Sequence, residues 1–240
     1  MAKSLFGRTI HKEKDFHEYF ISKQLILGAG YSMSGSRFMN ECYLRGVTVT
    51  REFADQAIKK YRKTYPEIPQ LWWAVNKAAI DAVKSRRPQF AARCMFVFKT
   101  VPFERLVCVL PSGREMSYPY ASIRWIWPPW DSEEKIEQLH FWTIEQKTYH
   151  WIQTHTYGGS LVENICQASC RDILASRMLL MDKHNLPVML HVHDEVGIMV
   201  KDKNVKKAQK LMSSIMSTSP PWAVGLPLDE AGYTAKRYKK

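Results

Sequence analysis

Between Leu186 and Val200 the chain reads LPVMLHVHDEVGIMV, and this stretch limits the available folds more than any other. Side chains alternate along a strand, so Val188, Leu190 and Val192 face one way and Met189, His191 and His193 the other. The chain reverses near Asp194 and Glu195, and VGIMV returns as the second strand of a hairpin. Two carboxylates then stand at the tip, open to a cleft and braced by apolar residues beneath. An acid among Val, Leu and Met costs free energy unless a cation or a dense set of donors compensates it, which makes the tip good geometry for a divalent cation. Two other readings use the same residues. Asp and Glu are common in solvated turns, and His191, His193 and Asp194 together offer a zinc set for a metal hydrolase. Local sequence does not separate the three.

Upstream of the hairpin the pattern is helical. Residues 11–31 read as a helix ending in the glycine punctuation of GAGYSMSG. A second helix follows Thr50, a plausible N-cap, with Phe53, Ala57, Ile58 and Tyr61 at helical spacing. Pro66 and Pro69 interrupt, and IPQLWWAVNKAAIDAVKS resumes as a third helix that RRPQ stops. RCMFVFKT, RLVCVLPSGREMSYP and ASIRWIW are β-branched and aromatic, with PSG as a turn signal, and predict a short antiparallel meander. PPWDSEEKIEQ reads as a surface loop, residues from about 159 to 184 as a long helix, and NVKKAQKLMSSIMS as the last one.

Charge and cysteine usage narrow the class. Thirty-five basic against 23 acidic residues give +12, a balance that favours polyanions such as nucleic acid or nucleotides. No apolar run is long enough to span a bilayer, so no membrane helix is expected. The N-terminus lacks the apolar core of a signal peptide, and five cysteines, odd in number and widely spaced, predict reduced thiols in a cytoplasmic setting. Cys166 and Cys170 share a helix face, but nothing near them completes a tetrahedral metal set.

On the first long helix, Tyr19, Lys23, Leu27 and Tyr31 fall at i, i+4, i+8 and i+12, one slowly drifting stripe. Lys23 is a cation in an apolar stretch and can hold a phosphate oxygen as a point charge; Tyr31, beside the glycines, can offer a ring face to a base. The bland alternative is a core helix whose lysine snorkels.

Taken together, KQLILGAGYSM resembles motif B and VMLHVHDEV resembles motif C of the family A, Pol I-type DNA polymerases in their phage-like branch. YPEIPQLW, LPSGR and TYGGSLVENICQASCRD are similar to segments of that branch in the expected order, and PPWAVGLPL matches its usual close. The resemblance implies an α/β (α+β) chain: a fingers subdomain with a small β meander over residues 1–157, and the C-terminal part of an antiparallel-sheet palm over 158–240. It implies template-directed addition of dNTPs to primer-template DNA in DNA replication, with Mg2+ in a two-metal site, in the cytoplasm of a bacterial host cell if the gene is a phage's.

The resemblance also implies roles for individual residues. Asp194 binds the catalytic metals, with Glu195 beside it as a secondary acid and His193 near the primer terminus. Lys23 grips the incoming triphosphate, Tyr31 sits at the closing end of the fingers helix, and Leu27 takes the position where many relatives carry an aromatic that touches the sugar. Gln167 matches the glutamine that reads the minor-groove side of the nascent pair, where purine N3 and pyrimidine O2 accept in every pair. Arg171 reaches a phosphate or pairs with Asp172, and Arg114 lies near the fingers–palm junction in a structural role.

Two metals roughly 3.5 to 4 Å apart need shared anionic ligands, and the family supplies a further aspartate from motif A. Neither DFHEYF at 15–20 nor DSEE at 131–134 fits that motif. A fragment, one half of a split polymerase and a decayed gene all account for this; the intact later motifs favour a split product or C-terminal fragment, needing a second polypeptide that carries motif A and the thumb. Tyr19 stands where relatives carry arginine, and Ser32 where glycine is common.

Overall fold

A computed structural model describes residues 1–128 and 133–238. Helices and antiparallel sheets make a mixed α/β chain. It divides into two compact units, one of Met1–Cys108 with Glu115–Asn164, the other of Val109–Arg114 with Ile165–Lys240. Among the described residues no helix is long and apolar enough to cross a membrane.

The first unit begins with α1 (Ala2–Phe6), α2 (Phe16–Ala29), α3 (Gly35–Tyr43), α4 (Arg51–Thr64) and α5 (Glu67–Ser85). Ile21, Leu25 and Ala29 of α2 close on Phe38 and Cys42 of α3 and Ala54, Ala57, Ile58 and Tyr61 of α4, and this is the helical core. Each large apolar side chain taken from water there contributes on the order of 1.5–3 kcal/mol. Thr50 caps α4 as its sequence predicts, accepting from the Phe53 N–H at 3.1 Å. The expected helix over 11–31 is shorter at both ends. Asp15 turns its carboxylate back to the His11 N–H and to Arg8, both at 2.8 Å, which fastens the preceding turn and lets α2 start only at Phe16. These donors, the His11 amide first, hold the Asp15 carboxyl below its usual range. The glycine-punctuated stretch conceals α3: Ser34 accepts from the Arg37 N–H and caps a helix not expected there.

β1 (Gln89–Ala91), β2 (Cys94–Lys99), β3 (Arg105–Val109) and β4 (Glu115–Pro119) form a sheet in that order. β5 (Ser122–Ile126), β6 (Ile136–Ile144) and β7 (Trp151–Thr156) form another. The expected single meander is thus two sheets, and the chain leaves the first at Tyr120, whose φ of 50° bends it out of the β4 direction before β5. Tyr118 meets Phe141 edge to face at 5.2 Å, and Lys84 at the end of α5 pairs with Glu137 of β6 at 2.5 Å. The expected loop over PPWDSEEKIEQ is corrected at its end: from Ile136 the backbone is the central strand of the second sheet, hydrogen-bonded on both sides. Residues 129–132 of that loop, with Asp131 and Ser132 of DSEE, lie outside the described residues.

α6 (Gly158–Lys183) follows the second sheet. Its first turn is crowded: a Cβ on Gly158 would stand 2.2 Å from the Trp72 carbonyl oxygen, and one on Gly159 2.5 Å from that of Tyr31. Only glycine lets these backbones approach so closely. In the second unit, β8 (Val188–Val192) and β9 (Glu195–Ile198) form a two-stranded antiparallel hairpin, followed by α7 (Val205–Met216). Val188, Val196 and Ile198 pack into one cluster with Met181, Leu186, and Ala208, Leu211 and Ile215 of α7.

Candidate functional site

In the first unit, α2 buries Ile21 and Leu25 and turns Ile26, Leu27 and Lys23 outward, with Ile26 47% and Leu27 54% exposed. An ordinary amphipathic surface helix presents polar residues to water. Here a single ammonium stands among apolar side chains, and no hydrogen bond or ion pair engages Lys23 among the described residues. Ala2, Tyr19, Ser22, Lys23, Ile26 and Leu27 line a shallow groove of about 240 Å³. Ser22 adds a buried hydroxyl with no partner among the described residues. Lys23 is exposed on the outward face of a helix whose other face, Ile21, Leu25 and Ala29, is buried.

Tyr31 departs from the expected stripe. α2 ends at Ala29, and the Tyr31 N–H bonds to the Gly28 carbonyl at 3.1 Å, so Tyr31 lies in a turn beyond the helix. The turn needs a left-handed residue, which Ser32 supplies at φ 67°. Trp72 steadies it by donating from Nε1 to the Gly30 carbonyl at 2.8 Å. Tyr19, Lys23 and Leu27 share one face of α2, as expected.

In the second unit the hairpin turns on His193 and Asp194, because Val192 pairs with Glu195 across it. The two acids differ: Asp194 is in the turn, and Glu195 opens β9. Val188, Leu190 and Val192 are half-buried while Met189 and His191 are exposed, the alternation that the sequence predicts. His193, Asp194 and Glu195 are all exposed, so the carboxylates are not forced into an apolar core. His193 occupies the left-handed region at φ 51°, the first position of the two-residue turn. The Tyr238 hydroxyl donates to Glu195 Oε2 at 2.9 Å, and that bond raises the phenol above its ordinary pKa. No described residue donates to Asp194.

α6 carries Gln167 and Arg171 on exposed positions one turn apart. Arg171 does not pair with Asp172. That acid, only 11% exposed at its side chain, is held by Arg114, whose Nε donates to Oδ1 at 2.6 Å. Arg114 Nη2 also donates to the Ala168 carbonyl at 3.0 Å, and Ser112 donates to Asp172 Oδ2. The LPSGR turn is thereby bolted to α6 within the second unit. Sequence reading missed Asp172 and Ser112 as the acceptor and second donor of this clamp. The signal was weak, an acid beside an arginine on a helix, and the nearer cation is the wrong one because consecutive helical residues point about 100° apart.

Hard carboxylate oxygens at an exposed hairpin tip suit a divalent cation such as Mg2+, and Asp194 and Glu195 are the side chains that would hold it. Among the described residues no group of three or more His, Cys, Asp or Glu side chains is gathered for a metal. His191, His193 and Asp194 therefore do not assemble the set that a zinc hydrolase requires.

No protein-family model matches the chain. Over 195 residues it is 33% identical to a DNA polymerase of Bacillus phage SP02, a match that covers 77% of this chain and 27% of that protein. The chain therefore spans about a quarter of the length of this relative. What the comparison establishes is similarity between this chain and one portion of a phage DNA polymerase.

Proposed function

We propose that the chain is the fingers and C-terminal palm portion of a family A DNA polymerase, catalysing template-directed nucleotidyl transfer to a primer. Residues 1–157 act as fingers and 158–240 as palm. The observation that carries this reading is an exposed Lys23, unpaired among the described residues, on an apolar helix face in a chain similar to a phage DNA polymerase. An ammonium so placed binds a triphosphate oxygen without first breaking an internal ion pair. Leu27 packs against the sugar, Tyr31 closes over the nascent pair, and Gln167 donates to its minor-groove acceptors. His193 and Arg171 touch the DNA, while Arg114 sets the α6 register. Asp194, with Glu195 beside it, holds Mg2+, which supplies charge neutralisation on the phosphates and activation of the primer hydroxyl.

Two-metal transfer needs a further carboxylate. We propose that a second polypeptide bearing motif A and the thumb supplies it. Primer extension with Mg2+ and dNTPs is the test. The chain alone should extend little, and adding the complementary polypeptide should restore synthesis that Asp194→Ala removes. Extension by the chain alone at ordinary polymerase rates would end the two-chain assignment. Activity indifferent to Asp194→Ala would make the chain a DNA-binding part without chemistry.

A further inference from the structure

The β5–β6–β7 sheet has no part in the proposed reaction, yet one of its faces is built as a binding surface. Register places Leu139, Phe141, Thr154 and Thr156 on one side, where Leu139 and Thr156 are buried and Phe141 meets Tyr118. The opposite side carries Arg124, His140, Trp142, Trp151, Gln153 and His155. Trp142 and Trp151 lie on adjacent strands with ring centroids 6.1 Å apart and planes within 20° of parallel. Trp151 remains 48% exposed although its partner is beside it. His140 and His155 are a directly opposed cross-strand pair at 5.9 Å, and Arg124 donates across the sheet to the Gln153 carboxamide oxygen. No carboxylate belongs to this face of the three strands, because Glu137 is on the other side, paired with Lys84.

We propose that this face binds single-stranded nucleic acid, with a base stacked on the Trp151–Trp142 pair and the phosphate chain drawn to Arg124. The favoured occupant follows from chemistry. Near-parallel indoles accept any base on their π-face, a guanidinium suits an anionic backbone, and the carboxamide of Gln153 can donate to base edges. Duplex DNA keeps its bases stacked on one another and cannot use the platform. The proposal rests on the reading that the chain works on a nucleic-acid template, and adds a place to hold the unpaired strand that uses none of the proposed catalytic residues.

Fluorescence anisotropy of a labelled twelve-nucleotide oligothymidylate with the full chain tests it. Trp151→Ala and Arg124→Glu, both at exposed positions, should each weaken binding about fivefold or more, Trp151→Phe should retain most of it, and affinity for a duplex of equal length should stay unchanged. Unaltered oligothymidylate affinity in both loss variants overturns the proposal. So does an equal loss for duplex, which would reflect general charge or misfolding, and so does a polypeptide occupying this face without any change in oligonucleotide binding. Primer extension by the reconstituted polymerase is the separate arm. If no reconstituted polymerase extends a primer while Trp151→Ala still costs affinity, the polymerase reading falls and the sheet proposal stands.

Discussion

Lys23 on α2 and Arg114 in the LPSGR turn are both cations that sequence resemblance associates with polymerase motifs, and their surroundings are opposite. Arg114 has its counter-charge inside the fold: Asp172 is nearly buried and accepts from it at 2.6 Å, with Ser112 and the Ala168 carbonyl completing the clamp. Lys23 stands outward among Ile26 and Leu27, with no acid provided for it among the described residues. A cation matched by a half-hidden carboxylate fastens two segments. One left on an apolar, open face is available to a ligand that brings its own negative charge.

That contrast can be broken by measurement. The largest effect is expected at the ligand-facing groups: in a reconstituted polymerase, Asp194→Asn or Lys23→Ala should lower single-turnover incorporation at least about a hundredfold, with thermal unfolding unchanged. A Lys23 variant that unfolds instead would erase the distinction. Next comes Arg114→Ala, which strands a largely buried Asp172 and should cost about 2 kcal/mol in urea unfolding. Lysine there should restore little, since one ammonium cannot reproduce the Nε and Nη2 bonds to two acceptors. Smaller still are the left-handed residues beside the proposed site, Ser32 at φ 67° and His193 at φ 51°. Glycine at either should raise stability by up to about 1 kcal/mol, relief of strain exceeding the added freedom of the unfolded chain. For His193→Gly that gain should accompany slower incorporation, since strain retained at a working residue points to a use for its side chain.

The smallest effect concerns His140. Burial, then Arg124 and His155, lower its pKa below the ordinary histidine value. The unfolded chain therefore binds the proton more readily than the folded one. This contribution to stability is complete above about pH 6.5, and is lost as pH falls from there toward the depressed folded pKa. Denaturation midpoints of His140→Gln, measured across that interval, should fall less steeply than those of the parent chain.

Segments whose instructions are local were legible in the sequence. Thr50 and the apolar spacing behind it specify α4, a long periodic run specifies α6, and strict alternation specifies β8. Segments whose partners are distant were not. The strand runs between Arg93 and Trp127 announce an antiparallel meander but not which strands pair, and β6 and β7 carry no such reading, so the division into two sheets at Tyr120 and the central position of β6 emerge only in three dimensions. The same limit applies at the candidate site. The turn at Asp194 follows from a period-two pattern, whereas Arg114 and Asp172 meet across 58 positions of sequence. Tyr31 shows the cost of extending a periodic stripe through glycines that end the helix at Ala29.

Chain connectivity bears on how this protein can be dissected. Residues Val109–Arg114 belong with the C-terminal unit although they are bracketed in sequence by parts of the N-terminal one. No single peptide-bond cleavage therefore excises either unit with all its pieces. A C-terminal expression product beginning at Ile165 would leave Asp172 without Arg114 and Ser112, so a faithful half-molecule must be engineered by splicing the short turn back in.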